Sequence, residues 1–376
     1  MSKKIVLWII LALGIVVGVW YVQRDNGPIS NDGPVKIGII TPMTGSGAGV
    51  YHEPLKKGID IALAEINKDG PKVEVVYEDD QLDSKLSLSA YNNLKLKGIK
   101  YYILNGSPSA SVVGPEIVKE GYFSMVPSAL LTSYRDSSPL TCRIALTADN
   151  YGPAFTDLLM KDMGKKNVAT LISNTEGGMA IFKVFKEKFE AAGGKVVQEE
   201  TFGKDDTDFR TQITKIKANK LAEAVVIINW STTIETMLKQ MKEQGLDLPI
   251  ISDSPTIKNS ALKNMTLANG VTFLDYSFAA DDAQASDMSK NFVAQYASAN
   301  NGDTPSIQAA QGYDVMKLIS YALANAKDQS PSTVASYFVA KIKNYPSAGG
   351  NFSFDKSCEA LRDITVRKVA DGRISK

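Results

Sequence analysis

The chain has 376 residues, and its 42 Lys and Arg against 41 Asp and Glu leave a formal net charge of +1. A balance so near neutral, with the basic residues scattered along helices, excludes nucleic acid as the expected partner. One histidine and two cysteines, with no HxxxH, CxxC or GxSxG spacing, leave metal-dependent and Ser-His-Asp chemistry without their residues, so neither catalysis nor a cofactor is expected.

Lys3 and Lys4 precede an unbroken apolar run from Ile5 to Val22, and Arg24 is the first charge beyond it. A helix over that run spans roughly 27 Å, close to the ~30 Å hydrocarbon core of a bilayer. The two lysines favour a cytoplasmic N-terminus, so the body is expected outside the cytoplasmic membrane. A cleaved signal peptide is the competing reading. Against it stand the length of the run and the lack of an A-x-A-like site between Gly18 and Val22. No cysteine follows the run directly, which excludes a lipidated N-terminal cysteine. The expectation is an uncleaved N-terminal transmembrane anchor and a linker, together 1–34. The twelve linker residues, 23–34, extend to roughly 40 Å.

About 340 residues remain, beyond the ~250–300 at which one core stops growing, so two lobes are expected. Strands are predicted at 35–40, 73–78, 101–104 and 123–126, then at 168–173, 196–201, 224–229, 249–252 and 271–274. VKIGII and AVVIIN are near-continuous apolar runs, as parallel strands covered on both faces require. Helical periodicity marks 55–67, 86–97, 182–192, 209–218 and 233–244 between them, then 287–299 and 307–326. This alternation predicts an α/β fold of two Rossmann-like parallel sheets. The tail adds strand patterns at 351–354 and 364–369. Helices following the second set of strands, and then a β tail, imply that the chain crosses between lobes three times. The expected division is 35–148 with 277–345, and 149–276 with 346–376. Spacing alone leaves Cys142 and Cys358 equally suited to a disulfide or to two buried thiols.

Chemistry concentrates at the predicted strand ends, where open α/β sheets bind ligands. TGSGAGVYHEP follows the first strand. It lacks the third glycine of a dinucleotide fingerprint and the Gly-Lys-Ser/Thr of a phosphate loop, and it carries Tyr51 as a candidate lid. The third strand runs into NGSPSAS, with Ser107, and the fourth into PSALLTSY, with Ser128, Ala129 and Leu130. Short hydroxyl side chains and nearby amides suit a carboxylate. In the second half the strand ends carry Glu176, Trp230 and Asp253. Acids there can meet an ammonium, and an aromatic can cover an aliphatic group or a cation. Glu176 equally suits the first turn of a helix, and Trp230 equally suits packing between lobes.

Several segments in order, among them IGIITPMTGSGAGVYHEPLKKGIDIALAEIN, VEVVYEDDQLDS, GSPSAS, DFRTQITKIKA, GYDVMKLISYALANA and FSFDKSCEALRDITVRKVADG, together resemble the branched-chain amino-acid-binding proteins of ABC importers. The likeness runs from Val35 to the end, about nine tenths of the chain. It implies a type I periplasmic binding fold whose lobes close on an amino acid or similar solute, as a monomer that docks on a membrane permease. It also implies that Ser107 holds a carboxylate, that Ser128, Ala129 and Leu130 offer backbone groups, that Tyr51 covers the ligand, that Trp230 is an aromatic wall and that Asp253 lies near an ammonium. Two departures stand out: Leu130 replaces the usual Thr, and Glu176 replaces an aromatic, which would suit a cationic or amide-bearing ligand. The other classes consistent with the pattern are a sensor ectodomain of the same fold and a nucleotide-binding enzyme. The broken glycine fingerprint counts against the second.

Overall fold

The computed structural model describes residues 33–69, 72–130, 138–203, 206–228, 233–257, 262–276, 278, 286–362 and 364–375. The expected anchor over 5–22 lies outside them, and no described helix is long and apolar enough to cross a membrane.

The apolar runs become strands buried on both faces. β1 (Val35–Thr41), β2 (Val73–Asp79), β3 (Tyr101–Asn105), β4 (Phe123–Ser128) and β5 (Thr141–Arg143) form a parallel sheet in the order β2-β1-β3-β4-β5. Between them run α1 (Glu53–Asp69), α2 (Ser84–Leu96) and α3 (Ser107–Glu120). The chain then passes to a second sheet. Its parallel strands are β6 (Asn167–Ser173), β7 (Lys195–Phe202), β8 (Ala224–Ile228), β9 (Ile250–Asp253) and β10 (Thr272–Tyr276). The helices α4 (Ala148–Asp157), α5 (Glu176–Ala191), α6 (Arg210–Ala218) and α7 (Ile234–Glu243) alternate with them.

Three further helices, α8 (Asp287–Ala299), α9 (Ile307–Asn325) and α10 (Pro331–Lys341), follow the second sheet, and α9 and α10 return to the first. The return is locked by α9 lying on α1. Gly58 and Gly312 face each other's backbone there: a Cβ on Gly58 would overlap the Ala309 carbonyl, and one on Gly312 the Leu55 carbonyl. Only glycine permits that approach. α9 is buried on most sides, with polar Gln311, Asp314 and Ser320 buried beside its apolar residues.

The tail holds a two-stranded ribbon, β11 (Ser353–Phe354) with β12 (Ala360–Leu361), and then β13 (Ile364–Ala370) and β14 (Arg373–Ser375). β13 pairs antiparallel with β10 and extends the second sheet to seven strands, in the order β14-β13-β10-β9-β8-β6-β7. Residues 346–361, expected on the second lobe, are bonded to the first sheet instead. Cys358 is disulfide-bonded to Cys142 of β5, Arg143 N donates to the Cys358 carbonyl at 2.9 Å, and the Arg143 guanidinium pairs with Glu359 at 2.7 Å. The chain joins the second sheet only from Ile364.

The connections between sheets meet at one buried arginine. Arg362 Nε donates to the Ile144 carbonyl at 2.7 Å, and Nη1 to the carbonyls of Gly349 and Gly350 at 2.9 and 3.1 Å. Its guanidinium lies 4.3 Å from the Phe352 ring centroid and 5.8 Å from that of Tyr276. The Tyr276 hydroxyl in turn accepts from Leu146 N at 2.8 Å. Asp314 of α9 accepts from the amides of Ala348 and Gly349 at 2.7 and 3.0 Å. Burial pushes its carboxyl above the usual range, and the charge of Arg362 works in the opposite direction.

The departures from the predicted elements have local causes. α3 and α4 carry Pro115 and Pro153 inside them, and proline argues against a helix interior. α5 starts at Glu176, six residues before the predicted 182, because Gly177 and Gly178 are helical residues rather than a loop.

The disulfide closes 216 residues of chain. Loop-closure entropy then predicts that Cys142→Ala with Cys358→Ala lowers unfolding free energy by about 2–5 kcal/mol. Urea titrations of variant and parent, followed by circular dichroism, check this; coincident midpoints would refute it.

Candidate functional site

The C-terminal ends of the first sheet's strands build one wall. Gly106, at φ +135°, turns the chain out of β3 so that Ser107 opens α3. Ser107 Oγ accepts from Leu130 N at 3.3 Å, which ties the loops after β3 and β4 together. Ser128 ends β4, opposite Asn105 across a register shift. The Ala129 carbonyl accepts from Arg143 Nη1 at 3.2 Å, and the Leu130 carbonyl from Ala148 N at 3.4 Å. Buried Asn105 donates its side-chain amide to Thr41 Oγ1 at 3.1 Å and to the Tyr51 carbonyl at 3.3 Å. The π-helical turn Ala48–His52, which carries Tyr51, is thereby fixed to the middle of the sheet.

The glycine-rich loop is held from below by the acidic turn after β2. Asp79 accepts from the amides of Met43 (2.8 Å) and Thr44 (3.3 Å) and from the Thr44 hydroxyl (2.5 Å). Burial opposes its ionisation, yet the bonds from Thr44, Gln81 and Met43 outweigh it and hold the carboxyl below the usual range. Leu82, at φ +58°, wedges its methyls beneath Gly47 and Gly106. A Cβ there would come within 2.9 and 3.0 Å of Leu82. His52 lies edge-on to Tyr77, 5.6 Å between centroids, and burial first, then Lys56, lowers its pKa.

The second sheet supplies the other wall. Asp253 ends β9, is fully buried and accepts from the Thr256 hydroxyl. Asp275 pairs with Arg367 at 3.1 Å, both fully buried. Tyr151 of α4 lies among these groups. Burial, then Tyr276, Asp253 and Asp275, push its hydroxyl well above the ordinary tyrosine range. The two walls also feel each other: burial, and after it the charge of Asp253, raise the Tyr51 hydroxyl to about 12. Tyr51 is therefore a neutral donor.

Of the residues singled out by sequence, Tyr51, Ser107, Ser128, Ala129 and Leu130 lie at the strand ends of the first sheet, and the charge of Asp253 reaches Tyr51 alone of these. Leu130 contributes its backbone there, while its side chain turns to α5. A Cβ on Gly177 would lie 2.7 Å from Leu130 Cδ1. Glu176 is exposed in the first turn of α5, where an acid favours the helix dipole. Trp230 lies outside the described residues. Sequence reasoning missed Asn105, Arg143 and Tyr151. A charged residue inside the strand pattern TCRIAL was the available signal for Arg143, since such a charge demands a buried partner. Among the described residues no three His, Cys, Asp or Glu side chains gather as metal ligands do.

Residues 34–373 match the family model described as periplasmic binding protein. Leu/Ile/Val-binding protein homolog 6 of Brucella abortus is 29% identical over 360 residues, 89% of this chain and 87% of the relative. The isoleucine complex of the branched-chain amino acid transporter substrate-binding protein LivJ from Streptococcus pneumoniae superposes with a TM-score of 0.79 at 22% identity, covering 92% of this chain and 98% of that one. A solute-binding protein of an ABC transporter from R. palustris, in complex with benzoate, gives 0.80 at 17% identity, covering 91% and 95%.

The contact of Leu130 with Gly177 makes a testable joint between the walls. Gly177→Ala forces Leu130 aside and is expected to destabilise by about 1–3 kcal/mol. In a Leu130→Ala background the same change becomes neutral or mildly stabilising, because alanine is the better helix former by roughly 1 kcal/mol. Chemical denaturation of the four proteins gives the coupling; purely additive effects would show that the two residues do not press on each other.

Proposed function

Because the chain belongs to the periplasmic binding protein family, we propose that it binds an amino acid or similar small polar solute between its two sheets and hands it to an ABC permease. Family members are substrate-binding proteins, and the family implies an extracytoplasmic location. The single observation that carries the reading is that the C-terminal strand ends of both sheets bear polar groups, Ser107 after β3 and Asp253 at the end of β9. The charge of Asp253, after burial, raises the pKa of the Tyr51 hydroxyl on the turn beside β1. A solute held by both walls favours the state in which they are together, and such differential affinity is what shifts a two-state equilibrium.

On this reading one lobe comprises 35–148 and 277–345, and the other 149–276 and the strands from Ile364. Residues 346–361 travel with the first lobe through Cys358 and Glu359. The hinge is the Arg362 cluster. The apolar run 5–22 tethers the body to the cytoplasmic membrane, and the linker gives it reach towards the permease.

Thermal melts against amino acids, amides and short organic acids test the binding. A true ligand at a hundredfold excess over its Kd adds about 2.7 kcal/mol, a rise in melting temperature of several degrees. Small-angle scattering is expected to show a smaller radius of gyration with that ligand. A ligand-bound protein of unchanged dimensions would contradict closure.

The tether is tested by separating membrane and soluble fractions of cells expressing the full chain, with and without residues 5–22. The full chain is expected in the membrane fraction and the deletion in the soluble one. Full chain recovered as soluble protein would rule the anchor out.

A further inference from the structure

The one histidine of the chain is buried in the turn that carries Tyr51. His52 is the last residue of the π-helical turn Ala48–His52, and α1 starts at the next residue. Asn105 of β3 donates to the Tyr51 carbonyl at 3.3 Å, and the His52 ring lies edge-on to Tyr77 of β2, 5.6 Å between centroids. The ring is therefore part of what the turn rests on.

His52 Nδ1 and the Tyr77 hydroxyl are both buried, and neither has a hydrogen-bond partner among the described residues. A neutral imidazole tolerates this better than a charged one, because its unprotonated nitrogen carries no N–H to satisfy. A protonated imidazole has an N–H on each nitrogen, and the one at Nδ1 would be buried without an acceptor where the ring now sits. A buried donor without an acceptor and a buried charge without a partner are both disfavoured. The groups that face the ring do not reverse this. Burial first, and then Lys56 of α1, lower the pKa of His52, while Glu53, Asp79 and Asp60 raise it more weakly. Lys56 is itself paired with Asp60 at 2.6 Å, and burial keeps the Tyr77 hydroxyl neutral.

We propose that His52 is a pH-sensitive latch on this turn: neutral, its ring packs on Tyr77 and holds the turn; protonated in acid, the ring leaves for water and loosens the turn, Tyr51 with it. The latch stands without the solute-binding reading. Its consequence, a weaker hold on a solute in acid, rests on that reading through Tyr51. By linkage, a released ring takes up its proton at the ordinary value of about 6.5 and the packed ring only at lower pH. The packed turn is therefore fully stable above that value, loses stability as pH falls below it, and loses no more once the packed ring is itself protonated.

The full chain in detergent micelles, purified without a histidine tag and isotope-labelled in histidine, gives the imidazole signal of His52 alone. Its titration by NMR is compared with hydrogen exchange of residues 48–53 from about pH 7.5 to about 4.5, corrected for the intrinsic effect of pH. The imidazole is expected to titrate below the ordinary histidine value, and the corrected exchange to rise at least about tenfold along the same curve. His52→Phe keeps a ring against Tyr77 and every carboxylate of the parent, and its turn is expected to show no such rise. Should that variant fail to fold, Lys56→Gln, at an exposed position, is expected to move the imidazole titration and the exchange rise to higher pH together. A titration at or above the ordinary value overturns the inference. So does exchange that stays flat while the imidazole titrates, a rise in His52→Phe as large as the parent's, or a shift of one quantity without the other in Lys56→Gln. The solute-binding reading is decided separately, by the melts.

Discussion

The first and last connections between the sheets are tied together by the Arg362 guanidinium. It bonds backbone carbonyls on either side of the crossing, at Ile144 and at Gly349 and Gly350, and lies over the rings of Phe352 and Tyr276. Burial disfavours its charge and Asp314 on α9 offsets part of that cost, while Arg362 Nη2 is buried without a hydrogen-bond partner among the described residues. Its hydrogen-bond partners are backbone carbonyls of two connections, so it joins the chain at Ile144 to the chain at Gly349 and Gly350. The disulfide and the Arg143–Glu359 pair sit one strand away and keep the last connection on the first sheet up to this point.

The same economy of hydrogen bonds shapes the binding walls. Arg143 faces two ways, to Glu359 in the last connection and to the Ala129 carbonyl in the loop after β4. Asn105 likewise joins β1 to the turn carrying Tyr51, and Asp79 holds the glycine-rich loop. These bonds tie the loops at the strand ends of the first sheet to one another and to its middle strands.

How much of this could be read from the residues depended on the range of the forces involved. Both parallel sheets were legible, since VKIGII, YYILN and AVVII are apolar over whole strands and bounded by turn residues. The serine loops were legible because strand ends in α/β sheets face the ligand side. α3 and α4 were hidden by internal prolines, and the start of α5 by Gly177 and Gly178, whose reason is a neighbour: Leu130 in one case and the Ser173 carbonyl in the other. Which sheet residues 346–361 border was not legible, because their pattern of strand and turn is the same beside either. A covalent bond to Cys142, 216 residues away, decides it.

From the residues alone came the α/β class, the doubling into two sheets, the places where chemistry gathers and the family likeness, all of which follow from periodicity, composition and short-range turn chemistry. Which sheet the last connection is bonded to, which side chains the loop carbonyls meet, that Leu130 turns its side chain to α5, and that the charge of Asp253 is felt at Tyr51 were decided by tertiary structure. Those properties depend on bonds and charges between segments from 14 to 216 residues apart, and no local pattern along the chain encodes which partner will arrive.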